Sequence, residues 1–185
     1  LSLGAATGRV RAAQAVVGTM RSRLQKTAEM TRRADARPRV CCLEWTDPYY
    51  CAGHWVPEMV QIAGGVDGLG QAQGVSARIA WGEIEKWAPE VLIVMPCGFG
   101  VEGAFKQAGQ MLAQERWDGI PAIRQGRVFA VDANSYFARP GPRFVEGTEL
   151  LAHLIHPNRI DWKGRIDAFH SISIGELVWP SPRIK

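Results

Sequence analysis

Tyr49, Tyr50, His54 and Trp55 lie between Pro48 and Pro57 in the run DPYYCAGHWVPEM, residues 47–59. Two phenols, an imidazole and an indole offer flat apolar faces with polar edges. Such groups suit a large, flat, partly apolar ligand better than a small ion or a phosphate. Further aromatic and cationic residues stand in two other short stretches, Phe99 in PCGFG and Tyr136, Phe137 and Arg139 in NSYFARPGPR. His54 and Glu58 are four apart, a spacing that metal sites use on a helix face. Pro57 favours a helix start between them, so the reading is a loop histidine and no metal site. Cys97 precedes a helix pattern whose N-terminus could activate a thiol, with His54 as its base. No orienting carboxylate is evident, so an α/β enzyme using Cys97 stays an alternative to a non-catalytic binder. In CGFGVEG the pattern G-x-G-x-x-G fits only Gly98, Gly100 and Gly103, after a late strand and without an acidic residue at the expected distance. Glycines that permit a tight turn explain it better than a dinucleotide site.

The elements that must position these residues follow from hydrophobic periodicity. Val10, Ala13, Val17, Met20, Leu24 and Ala28 recur every three or four residues, which predicts one long amphipathic helix over 9–34, stopped before Pro38. RVCCLEW, EVLIVMP and QGRVFAVDA read as strands. VPEMVQI, the run at 80–87, VEGAFKQAGQMLAQERW and FVEGTELLAHLI read as helices. Short apolar strands alternating with helices predict the α/β class: a long N-terminal helix, then a Rossmann-like three-layer lobe with a mostly parallel sheet. The chain divides accordingly into the helix at 1–37, a ligand-binding lobe at 38–157 and an irregular tail at 158–185. Each of the three aromatic stretches follows a strand, at the edge where the loops of an open α/β sheet converge on ligands.

Composition narrows the classes further. The chain has 185 residues, 46% hydrophobic and 22% charged, enough for one domain with a real core. Residues 1–39 hold nine Lys and Arg against Glu29 and Asp35, and no aromatic residue is interleaved with them. A solvated helix face accounts for that better than a nucleic-acid contact. No apolar run reaches membrane-spanning length, and the start of the chain lacks a signal-peptide pattern. Cys41 and Cys42 read as small buried hydrophobes.

The order of the blocks LEWTDPYYCAGHWVPEMVQIAGG, SARIAWGEIEKWAPEVLIVMPCGF and RVFAVDANSYFARPGPRFVEGTELLAHLIHP resembles the cobalamin-binding branch of the ABC-importer substrate-binding proteins, whose two lobes are joined by a long helix. The likeness spans residues from about 10 to 157, so this chain looks like the helix plus the C-terminal lobe. The resemblance implies capture of cobalamin or a related corrinoid, as transported ligand rather than cofactor, for delivery to an importer permease. A haem or iron-siderophore binder of the same fold is the alternative. It also implies a periplasmic or extracellular setting, although without a signal peptide in the chain the cytoplasm stays open. Tyr50, Trp81, Tyr136, Phe137 and Arg139 fall on or beside its pocket positions, and Glu83 is close to its permease-docking carboxylate. Tyr50 is expected to face Tyr136 and Phe137 across the cleft, with His54 and Arg139 holding polar groups on the corrinoid rim. The apolar stripe of the long helix, with no first lobe over it, leads to the expectation of a homodimer.

Overall fold

A computed structural model describes residues 1–114 and 117–173. In chain order it contains α1 (Ser2–Ala6), α2 (Val10–Arg32), β1 (Arg39–Thr46), β2 (Tyr49–Cys51), α3 (Val56–Ile62), β3 (Val66–Asp67), β4 (Ala77–Arg78), α4 (Trp81–Trp87) and β5 (Val91–Val94). There follow α5 (Val101–Leu112), a 3-10 turn at Trp117–Gly119, α6 (Pro121–Arg124), β6 (Val128–Val131), α7 (Ala133–Tyr136), α8 (Phe144–Ile155) and β7 (Phe169–Ser171).

The sheet has the order β4-β2-β1-β5-β6-β7, with β3 beside the start of β1. Its centre, β1-β5-β6, is parallel, with Leu43 opposite Val94 and Val94 opposite Ala130. Those strands are apolar on both faces because both are covered. Val40 and Cys42, with Val91 and Ile93, face α3 and α8, whereas Cys41 and Leu43, with Leu92 and Val94, face the layer of α4, α5 and α6. The expected three-layer α/β lobe is therefore present. Its edges are antiparallel: β2 folds back on β1, β4 pairs with β2, and β7 pairs with β6.

Three expectations change. The stretch after β1 is not a free loop, because Tyr49–Cys51 is a hairpin strand paired to Leu43–Thr46 through a bulge. The segment from 158 is not wholly irregular, because Phe169–Ser171 completes the sheet edge; residues 174–185 lie outside the described ones. The helix expected to reach Trp117 ends at Leu112.

α2 is one helix, as its periodicity requires, and among the described residues its side-chain bonds to the rest of the lobe come from its second half. Arg23 forks onto Glu149 of α8 at 2.9 and 2.6 Å, and the Thr31 hydroxyl donates to the Ile62 carbonyl at 2.8 Å. Arg23 meets the first half of α8, and Thr31 lies by Gly64 and His156 at its end. The two helices therefore run in the same sense. Eight more residues precede the contact in α2 than in α8, so α2 projects roughly 12 Å past the start of α8, at the sheet's carboxyl edge. Short α1 folds back on this projection, and the bare Gly4 packs on Ala13. Leu1, Leu3, Val10 and Val16 stay exposed there.

Candidate functional site at the carboxyl edge of the sheet

The parallel centre of the sheet places the ends of β1, β5 and β6 on one edge, and each carries a fixed turn. After β1, the loop from Ala52 is pinned from outside. The His54 amide donates to the Gly74 carbonyl at 2.7 Å, and its carbonyl accepts from Gln73 at 3.0 Å. Gly53 must be glycine, since a Cβ there would lie 2.6 Å from the Val75 and Ser76 backbone. His54 is held at a φ of 57°, in the left-handed region that a non-glycine residue enters only where its surroundings fix it. After β5, the Cys97 amide donates to the Glu44 carbonyl at 3.1 Å, which ties the turn to β1. Gly98 follows with a φ of 91°. After β6, Asp132 caps α7 by accepting from the Ser135 amide and hydroxyl, and the Asn134 side chain donates to the Gly98 carbonyl at 2.9 Å.

Between these turns lies a notch of about 180 Å³ lined by Glu44, Gly53, His54, Trp55, Val56, Met95, Cys97, Phe137 and Ala138. The Trp55 indole donates to the Phe137 carbonyl at 3.0 Å and so ties the first turn to the third. The His54 and Trp55 rings lie 5.6 Å apart and are tilted by 35°. His54 and Cys97 are exposed and Glu44 is partly so, which puts nitrogen, sulfur and oxygen donors on an otherwise apolar surface. The notch is smaller than the roughly 300–1,000 Å³ of a formed small-molecule pocket.

Of the residues singled out in the sequence, His54, Trp55 and Phe137 meet at this notch. Phe99 stands beside it, edge-on to Trp45 at 6.4 Å. Arg139 is exposed on the loop beyond α7. Tyr136 is a correction. It is 2% exposed, within the core, with its ring against Trp162 at 6.1 Å and its backbone against Gly147. Burial holds its hydroxyl above the usual phenol range. Phe137 is buried as well, at 4% exposure in the same core cluster, and reaches the notch mainly through the carbonyl that Trp55 bonds, so Tyr50 faces neither ring across an open cleft. Tyr50 itself lies in the hairpin between Trp45 and Arg78. Tyr49 and Trp81 converge instead on Trp117, at 6.2 and 4.4 Å, beside a separate depression of about 580 Å³. Glu83 is exposed in the first turn of α4, where its carboxylate accepts from the Ala80 amide at 2.8 Å.

Glu44 and Met95 were not singled out as site residues. Their signal is positional, since both stand where an apolar strand run reaches the sheet edge. Among the cysteines, Cys41, Cys42 and Cys51 are buried and Cys97 is exposed. Contact with Cys51 and burial push the Cys41 thiol well above its usual range, and burial does the same to Cys42.

The chain thus combines a parallel sheet between helical layers, a long helix alongside and a notch at the sheet's carboxyl edge. The chain belongs to the periplasmic binding protein family, whose model matches residues 1–135. This is a family of binding proteins and not of enzymes, which removes the nucleophile reading of Cys97. No curated protein matches the chain. Similar solved structures include an ABC transporter substrate-binding protein from Listeria monocytogenes EGD-e, with a TM-score of 0.74 at 16% identity over 85% of this chain and 62% of that one. A periplasmic heme binding protein from Pseudomonas aeruginosa has a TM-score of 0.73 at 18% identity over 93% and 63%. S. aureus IsdE complexed with heme also has 0.73 at 18%, over 84% and 61%. The chain thus spans about six tenths of the length of these structures. The family name points to a periplasmic or extracellular place, and among the described residues no helix is long and apolar enough to cross a membrane.

Proposed function

We propose that this lobe forms one wall of a site for a large, flat metal chelate of corrinoid or haem size and hands that ligand to an ABC-type importer. The observation that carries this is the notch at the sheet edge, where the half-buried Trp55 ring stands beside the polar groups of Glu44, His54 and Cys97. A flat ligand can lie on such an open wall, whereas a small solute would gain little from it. The cobalamin reading is supported by the sequence blocks described above. The haem alternative is supported by the heme-binding neighbours. Glu83, exposed at the start of α4, is proposed as the permease contact, and a second copy of the chain as the cover for the exposed apolar residues of α1 and α2.

Absorbance and calorimetric titration with hydroxocobalamin and with haemin tests the proposal. One open wall is expected to bind one of them in the micromolar range, and Trp55→Ala should weaken that binding about tenfold, since one decade corresponds to about 1.4 kcal/mol. Failure of both chelates to bind the wild-type chain would sink it.

A further inference from the structure

Two oxygens next to the notch turn lack a donor. Asp67, at the end of β3, closes a tight turn in which its Oδ1 accepts from the amides of Leu69 and Gly70 at 3.1 and 2.8 Å. Its Oδ2 is buried and, among the described residues, is the one buried side-chain oxygen or nitrogen without a hydrogen-bond partner. The carbonyl of Ala52, a fully buried residue, accepts no hydrogen bond among the described residues either. The two oxygens belong to different segments and border the same spot: each lies 2.6 Å from where a Cβ on Gly70 would stand. Two buried acceptors side by side need a donor between them.

An asparagine at this position would accept the two amides with its oxygen and donate to Ala52 with its nitrogen. A carboxyl group does both only while it holds a proton. Burial raises the Asp67 carboxyl above its ordinary value, against the pull of the Gly70 and Leu69 amides. The groups that face it from the packed elements bring no opposing charge. β1 presents the thiols of Cys41 and Cys42, the former in contact with Cys51 of β2, and both stay neutral with pKa values well above the ordinary range. α3 presents Pro57 at Gly70, and α4 presents the Trp87 ring at Gly68. The place gives the proton a consequence. Ala52 leads directly into Gly53 and His54, and the segment that follows the Asp67 turn clamps the same pair, through Gln73 and Gly74 on the His54 backbone and Val75 and Ser76 against Gly53.

We infer that Asp67 is a proton-operated latch for the notch turn: protonated, its Oδ2–H donates to the Ala52 carbonyl and holds residues 52–54 against the segment 67–76; ionised, the two oxygens face each other without a donor and the turn loosens. The notch is therefore firmer in mild acid than at neutral pH. The sign follows from linkage. A carboxyl whose folded pKa is raised stabilises the fold fully below its unfolded value of about 3.9 and loses that contribution as pH rises through the folded value. This trend is opposite to that of a buried neutral histidine.

The test uses the chain without ligand, so it stands apart from the chelate reading. Carboxyl NMR should show Asp67 titrating above the ordinary aspartate value of about 3.9. Asp67→Asn supplies the donor at every pH, so it should melt about 2–4 °C higher than wild type at neutral pH, with the difference closing as pH falls through the Asp67 titration. Amide exchange corrected for its intrinsic rate should protect His54 about fivefold more below that titration than above it in wild type, and equally on both sides in Asp67→Asn. Titration of Asp67 at or below the ordinary value, an Asp67→Asn protein that melts no higher than wild type at neutral pH, or corrected His54 exchange that ignores pH in wild type would each overturn the latch.

Discussion

Single residues carry the geometry of the notch. Trp55 does two things there, since its ring forms the wall and its indole N–H satisfies the Phe137 carbonyl. Trp55→Phe keeps most of the apolar face but leaves that carbonyl unpaired, so a stability loss of about 1 kcal/mol is expected in chemical denaturation. Gly53→Ala should cost more, about 1–3 kcal/mol, because the new methyl group meets backbone rather than a flexible side chain. His156 sets a pH dependence. Burial, only partly offset by its contact with the Gly64 carbonyl and reinforced by Arg127 and Arg159, holds its pKa below the ordinary value. The unfolded chain therefore binds the proton more readily, and the contribution of His156 is complete above about pH 6.5 and lost as pH falls towards the depressed folded value. Thermal melts should show stability declining across that window, with a shallower decline in His156→Gln.

At the scale of elements, α2 and α4 make opposite demands. α2 is well formed locally and, among the described residues, is held to the lobe from about Arg23 onward, by a bidentate ion pair and by the buried Thr27 and Thr31. Amide exchange should be fast over its first half and slow over 24–32, and uniform protection along the helix would contradict this division. The Arg23 pair is partly exposed, so its double-mutant cycle should give no more than about 1 kcal/mol. In α4, Gly82 has open space around it and lies in the first turn. Gly82→Ala should stabilise the protein by about 0.5 kcal/mol in denaturant titrations, through helix propensity alone.

For the whole molecule, the projecting part of α1 and α2 is the feature that the lobe itself leaves unsatisfied. Leu1 is 61% exposed and Leu3 83%. A second copy covering these residues predicts a dimer in sedimentation equilibrium at micromolar concentration and a monomer for Leu3→Glu combined with Val10→Glu. A wild-type monomer would remove that partner. On the proposed permease contact, Glu83→Ala should leave chelate binding unchanged and weaken association with the permease, because the carboxylate is exposed and does not line the notch.

The sequence by itself determined the architecture. The doubly apolar runs of β1 and β5 demand cover on both faces, the three-and-four spacing of residues 10–28 demands one long helix, and helix α8 occupies the whole of FVEGTELLAHLI. Patterns of this kind are local, and each residue reports its own environment. The placement of aromatics was decided by the tertiary structure. Tyr136 and Phe137 read in the sequence as exposed ring contacts, yet both are buried in the core, Tyr136 against Trp162, because the chain after β6 turns into the one-turn helix that Asp132 caps. Tyr49 and Tyr50 looked like one platform with His54 and Trp55, but a bulged return onto β1 carries them into a hairpin and sends Tyr49 towards Trp117. Conversely, Glu44 and Met95 reach the notch only because parallel pairing aligns the ends of two strands 51 residues apart in the chain. Hydrophobic periodicity encodes which face of an element is buried. Which loops meet at its end depends on strand register and on single hydrogen bonds between distant turns, and those exist only once the chain has folded.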